Sequence, residues 1–112
     1  MPKVVCSQTE LEELATELVE AYLEYIGRPE FGAIGKHKIF ECISKLRRFN
    51  LVPDYHEDEG PYVLRDGIHG SPILLVGYDI SFKNLYFAKA VKEKLGKDKF
   101  RFDNVTIYQK IG

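Results

Sequence analysis

Apolar residues recur at helical spacing through residues 9–26, where Leu11, Leu14, Ala15, Leu18, Val19, Tyr22, Tyr25 and Ile26 form one stripe. Ser7-Gln8-Thr9-Glu10 and Thr9-Glu10-Leu11-Glu12 both fit a capping box, and the Glu-rich first turns suit the positive end of a helix dipole. Gly27 supplies a stop and Pro29 prevents simple continuation. Residues 28–35 hold one Pro and two Gly and read as a loop. A second helix is predicted over 36–49, with Ile39, Cys42, Ile43, Leu46 and Phe49 as its stripe and Asn50 closing it in a left-handed conformation.

The period then changes. Residues 51–55 read as extended, and His56-Glu57-Asp58-Glu59-Gly60 as a charged turn. Residues 62–65 look like a strand ended by the turn Asp66-Gly67. Residues 73–80 form the strongest strand signal, because Ile73-Leu74-Leu75-Val76 is apolar on both faces, as a central covered strand would be. Ser81 then suits the N-cap of a third helix over 82–95, with Leu85, Ala88, Val91 and Leu95 as its stripe and Gly96 ending it. Residues 100–111 are β-like but change phase. Phe100 and Phe102 alternate on one parity and Val105, Ile107 and Ile111 on the other, which a bulge or a hairpin turn at Asp103-Asn104 would explain, the bulge being favoured.

The predicted fold is α+β, in the order α-α-β-β-α-β, with two N-terminal helices packed on a small mixed sheet. Strand 73–80, helix 82–95 and strand 100–111 would make a β-α-β unit, right-handed if its strands are parallel. A chain of 112 residues without repeat or linker is read as one domain, 1–112.

Composition narrows the class. Hydrophobic residues make up 45% and charged residues 29%, which is globular rather than disordered. The longest apolar run, within 72–77, is far too short to span a bilayer, and the N-terminal residues lack the apolar stretch of a secretory signal. No membrane association is therefore expected, and a cytoplasmic location is. Two cysteines, Cys6 and Cys42, are too few for a disulfide framework, so reduced thiols are expected.

The net charge of −1 hides segregation. Residues 1–34 carry seven acids against two bases, and residues 36–48 five bases against one acid. Residues 54–66 carry five acids against one base, and residues 83–110 eight bases against three acids. A basic helix and a basic C-terminal third that shared a face would bind phosphates, since Lys and Arg supply the sequence-independent part of nucleic-acid affinity. The leading functional expectation is thus a nucleic-acid-binding module using Lys36, Lys38, Lys45, Arg47 and Arg48 with Lys97, Lys99 and Arg101. The competing explanation of the same pattern is that the acidic first helix simply lies beside the basic second one.

Two further readings come from other features. Sheet edges and exposed aromatic residues would suit a protein-interaction or oligomerising subunit, with a second copy or another protein as partner. His56, Asp58, His69 and Asp79 would suit a divalent metal and a metal-bound hydrolytic water, because imidazole and carboxylate are its usual ligands. Their spacing matches no defined ligand motif. His37 and Cys42 stand five apart on one helix and do not face each other, so they make no nucleophile–base pair. The glycines form no dinucleotide or phosphate-loop pattern, and no cofactor is expected.

Overall fold

The computed structural model describes residues 7–28, 30, 32–53, 60–76, 79–98 and 101–110. Its elements follow the predicted order: α1 (Gln8–Gly27), α2 (Gly32–Arg48), β1 (Tyr62–Asp66), β2 (Ser81–Phe82), α3 (Leu85–Leu95) and β3 (Val105–Gln109). The fold is α+β. The three strands form one sheet in the order β2-β1-β3, and both pairings are antiparallel rather than mixed. β2 and β3 therefore run in the same direction but lie on opposite sides of β1. The predicted β-α-β unit exists only in this split form.

α3 lies against all three strands, and α1 packs on both α2 and α3. One buried cluster joins them: Leu18 and Val19 of α1, Ile39 and Ile43 of α2, Leu64 of β1, and Phe82, Phe87 and Val91 around α3. The sheet contributes the parity that includes Leu64, Phe82, Val105 and Ile107. Val63, Arg65, Thr106 and Tyr108 point to the other face, since side chains alternate along a strand. Tyr22 anchors α1 to the strand region by donating its hydroxyl to the Ile73 carbonyl. After α2, the Leu51 carbonyl accepts the Lys83 N–H at 2.9 Å and ties that turn to the end of β2.

The ends of α1 form as the sequence predicts. Ser7 is its N-cap, its Oγ accepting the Glu10 N–H at 3.2 Å, and the helix stops at Gly27. Asn50 takes a φ of 60°, the left-handed geometry expected after α2.

Five expectations change. α2 begins at Gly32 and not at 36, because Gly32 and Gly35 are carried inside the helix; Gly35 lies against Tyr25, where an added Cβ would sit 3.0 Å from the ring. Residues 51–53 are bent rather than extended, and 54 and 55 lie outside the described residues.

At its described residues the strand predicted over 73–80 does not form, and residues 77 and 78 lie outside the described residues. Residues 71–73 do run along β1, with the Asp66 N–H donating to Ser71 at 2.9 Å and the Ile73 N–H to Leu64 at 3.3 Å. The chain then leaves the sheet, and the Ile80 N–H closes the excursion on the Leu74 carbonyl at 3.1 Å before β2 resumes the same edge. Leu74, Val76 and Ile80 are buried and Leu75 is exposed. The apolar run thus reports burial and says nothing about ladder hydrogen bonds.

Ser81 caps no helix. It is buried in β2, and its hydroxyl accepts the Gly60 N–H at 2.7 Å, so Asn84 caps α3 instead, accepting the Phe87 N–H at 3.0 Å. Finally, the phase change in the last segment marks a strand start. Asp103 and Asn104 form a turn, β3 begins at Val105, and Phe102 packs outside the sheet against Tyr22 with ring centroids 6.2 Å apart.

Candidate functional site

The charge segregation resolves into ion pairs across helix interfaces. Glu24 meets Lys38 at 3.1 Å and Glu17 meets Lys45 at 3.3 Å, joining α1 to α2. Glu12 meets Lys94 at 3.1 Å, joining α1 to α3. Seven residues separate the two acids and seven separate the two lysines, which is two helical turns on each partner. That matched spacing around a short connection is the signal in the sequence that foretells an antiparallel acidic–basic helix pair. Such exposed pairs contribute only about 0.2–1 kcal/mol each. Their consequence is that acidic α1 lies between basic α2 and α3.

The residues predicted to bind nucleic acid are therefore divided. Lys38 and Lys45 are engaged with α1. Arg47 donates through Nε to the Pro53 carbonyl at 3.2 Å, and Arg101 pairs with Asp98 at 2.8 Å. Lys36, Arg48 and Lys97 make no ion pair among the described residues. Lys99 lies outside the described residues.

Of the predicted metal ligands, His56 and Asp58 also lie outside them. Asp79 is engaged otherwise, its Oδ2 accepting from Arg65 Nη2 at 2.6 Å on the outer side of the sheet. His69 is exposed in the turn after β1. Among the described residues no group of three His, Cys, Asp or Glu side chains is placed to share a metal ion. Cys42 is half-buried on α2, where burial first and then the Glu17 carboxylate push its thiol up, away from the reactive thiolate.

The turn itself is held by Asp66, whose Oδ1 accepts the N–H groups of Ile68 at 2.7 Å and His69 at 3.1 Å. The bonds from His69 and Ile68 hold the Asp66 carboxyl below the ordinary aspartate range. The folded value is depressed, so the contribution to stability is present at pH above the unfolded value and is lost as pH falls through the folded one. A carboxyl-detected NMR titration should find Asp66 protonating at lower pH than a free aspartate, and an ordinary value would sink this account of the turn.

The remaining feature is the edge of the sheet. The Gly67 N–H donates to Asn104 and the Lys110 N–H to Pro61, each at 2.7 Å. Both contacts fall on the even-numbered residues of 104–110. In an antiparallel ladder the residues alternate, so Thr106 and Tyr108 turn their backbone groups to β1, while Val105, Ile107 and Gln109 turn theirs outward. No backbone partner meets those outward groups among the described residues.

The two edges of the sheet differ. The β2 edge is two residues long, is interrupted where the chain leaves the sheet after Ile73, and includes Pro72 in its bridge to Arg65. Short strands, Pro and interruptions are what blunt an edge against pairing. β3 has none of them: Val105-Thr106-Ile107-Tyr108-Gln109 carries no Pro and no charge, and its β-branched and aromatic residues favour strand pairing. Tyr108 is 41% exposed beside it. Strand order decides which strand is an edge, so no local pattern could have singled out these residues.

No helix among the described residues is long and apolar enough to cross a membrane. The chain matches no protein-family model, no curated protein and no solved structure.

Proposed function

We propose that this protein is a protein-interaction or oligomerising subunit whose contact surface is the open edge of β3. The supporting observation is the outward row of backbone groups at Val105, Ile107 and Gln109 on an uncharged strand. An extended segment laid along it would add a strand, its main chain supplying affinity and its alternate side chains specificity.

The test is amide hydrogen exchange with a short synthetic peptide of alternating valine and threonine. Binding should slow exchange at Val105, Ile107 and Gln109 and change Thr106 and Tyr108 little, since these already bond β1. Uniform slowing, or none, would sink the reading. The nucleic-acid reading has less support from this geometry, because α1 neutralises part of the basic set. Tight binding of duplex DNA or RNA at low salt, weakened by neutral substitutions at Lys36, Arg48 and Lys97, would move the assignment there.

A further inference from the structure

We propose that Asp66 is a latent isoaspartate site: the folded turn keeps its carboxyl away from the Gly67 nitrogen, and opening the turn lets the two join. Asp66-Gly67 is the sole Asp-Gly or Asn-Gly pair in the chain. A glycine in second place leaves the attacking nitrogen without a side chain in its way and free to take many backbone angles. The step is a dehydration followed by a hydration. The Gly67 nitrogen attacks Asp66 Cγ, and the carboxyl hydroxyl leaves with the amide proton as water, which closes a cyclic imide. Water then adds at either imide carbonyl. Cleavage at the side-chain carbonyl restores aspartate, and cleavage at the main-chain carbonyl leaves Gly67 joined through the side chain, as isoaspartate. No oxidant or reductant takes part.

In the folded chain every group that must move is held. The Asp66 N–H donates to the Ser71 carbonyl at 2.9 Å, and the Asp66 carbonyl accepts the Gly70 N–H at 2.7 Å. The Gly67 N–H donates to the Asn104 carbonyl, also at 2.7 Å. Asp66 Oδ1 accepts the N–H groups of Ile68 and His69, and Asp66 pairs with Val105 at the end of the β1–β3 ladder. Bringing the Gly67 nitrogen onto Cγ means rotating the peptide plane about the Asp66 Cα–C bond. That rotation pulls Gly67 off Asn104 and the Asp66 carbonyl off Gly70 together. The bonds to Oδ1 also favour the ionised carboxyl, whereas water leaves only from the neutral one. Burial gives no protection, since residues 67–70 are all exposed, so hydrogen bonds alone guard the pair. The product cannot rebuild this turn. Its main chain carries an extra methylene between the Asp66 Cα and Gly67, which displaces Gly67 from Asn104, and the carboxylate that Ile68 and His69 met now sits directly on Cα. An isoaspartate at this position therefore records that the turn has opened.

The test is prolonged warm incubation of the full chain, folded in buffer and unfolded in guanidinium chloride, followed by peptide mapping. The isoaspartyl peptide separates from its aspartyl parent of equal mass, and an isoaspartate-specific methyl-transfer assay counts it. Conversion at Asp66 should be about tenfold or more slower in the folded protein, because the reaction then draws only on the minority of molecules with the turn open. Ile68→Pro acts at an exposed position, removes one N–H from Asp66 Oδ1 and sets the wrong backbone angles for the turn. In the folded state this variant should convert several-fold faster than wild type, with its helical circular dichroism unchanged, and no faster than the unfolded chain. Equal conversion of wild type in buffer and in denaturant would overturn the guarding role of the fold. No conversion in denaturant would overturn Asp66 as a reactive site. A folded Ile68→Pro variant as slow as wild type would overturn the turn as the guard. Should that variant fail to fold, the wild-type comparison still decides between guarded and unguarded.

Discussion

Replacing Phe82 by alanine is expected to destabilise the protein by about 3–5 kcal/mol, the usual range for emptying a buried phenylalanine site. Phe82 is fully buried and meets Phe87 edge-on with ring centroids 5.5 Å apart. It is also half of a two-residue strand. Few ladder bonds hold so short a strand, so the ring on the core side keeps β2 against β1. The alanine would leave a cavity between the sheet and α3 that neighbouring backbone cannot fill without moving both. A domain of this kind has only about 5–15 kcal/mol of stability in all, so the variant should stand near its unfolding threshold. Urea denaturation followed by circular dichroism measures it. Phe82→Leu, which keeps most of the volume, should recover most of the loss. A Phe82→Ala cost below about 1.5 kcal/mol would show that β2 is held by something other than this ring.

Gly60→Ala is expected to cost about 3 kcal/mol, at the upper end for overpacking. A Cβ at Gly60 would lie 2.5 Å from the Phe82 carbonyl oxygen and 2.7 Å from its carbon. Those atoms are backbone, so relief requires moving β2 or the chain entering β1. Either shift strains the hydrogen bond from the Gly60 N–H to the Ser81 hydroxyl, 2.7 Å long and buried. Ser81→Ala removes the same bond without the clash and should cost about 1–3 kcal/mol by leaving a buried N–H without its acceptor. Because both changes act on one contact, the double variant should lose less than the sum. Full additivity in a denaturation series would mean that the two groups do not act together.

These two sites also show where sequence patterns stop informing. Ser81 carries a good N-cap side chain before a helical stripe, and that local signal is real. It loses to a tertiary demand, because the buried Gly60 N–H needs an acceptor and Asn84 can serve the helix. The run Ile73-Leu74-Leu75-Val76 is apolar enough for a central strand, yet it leaves the sheet because burial can be satisfied without ladder bonds. The phase change after Phe102 was visible as an anomaly, but only the contact of Phe102 with Tyr22 shows that its ring belongs to a helix interface.

By itself the sequence determined what local chemistry can decide. Helical periodicity with Ser7 and Gly27 at its ends produced α1, and Asn50 produced the left-handed stop after α2. The stripe 85–95 produced α3, and the run into Asp66-Gly67 produced β1 and its turn. These depend on residues within a few positions of one another. The tertiary structure alone decided which distant groups meet. It placed acidic α1 between basic α2 and α3, turning three of the four segregated charge blocks partly into Glu12–Lys94, Glu17–Lys45 and Glu24–Lys38. It placed β1 at the centre and left β3 at the rim, so that Val105, Ile107 and Gln109 face outward. Strand order arises from long-range packing of the whole core and leaves no trace in a window of neighbouring residues, whereas the helix charge pairing left only the matched seven-residue spacing of Glu17 and Glu24 with Lys38 and Lys45.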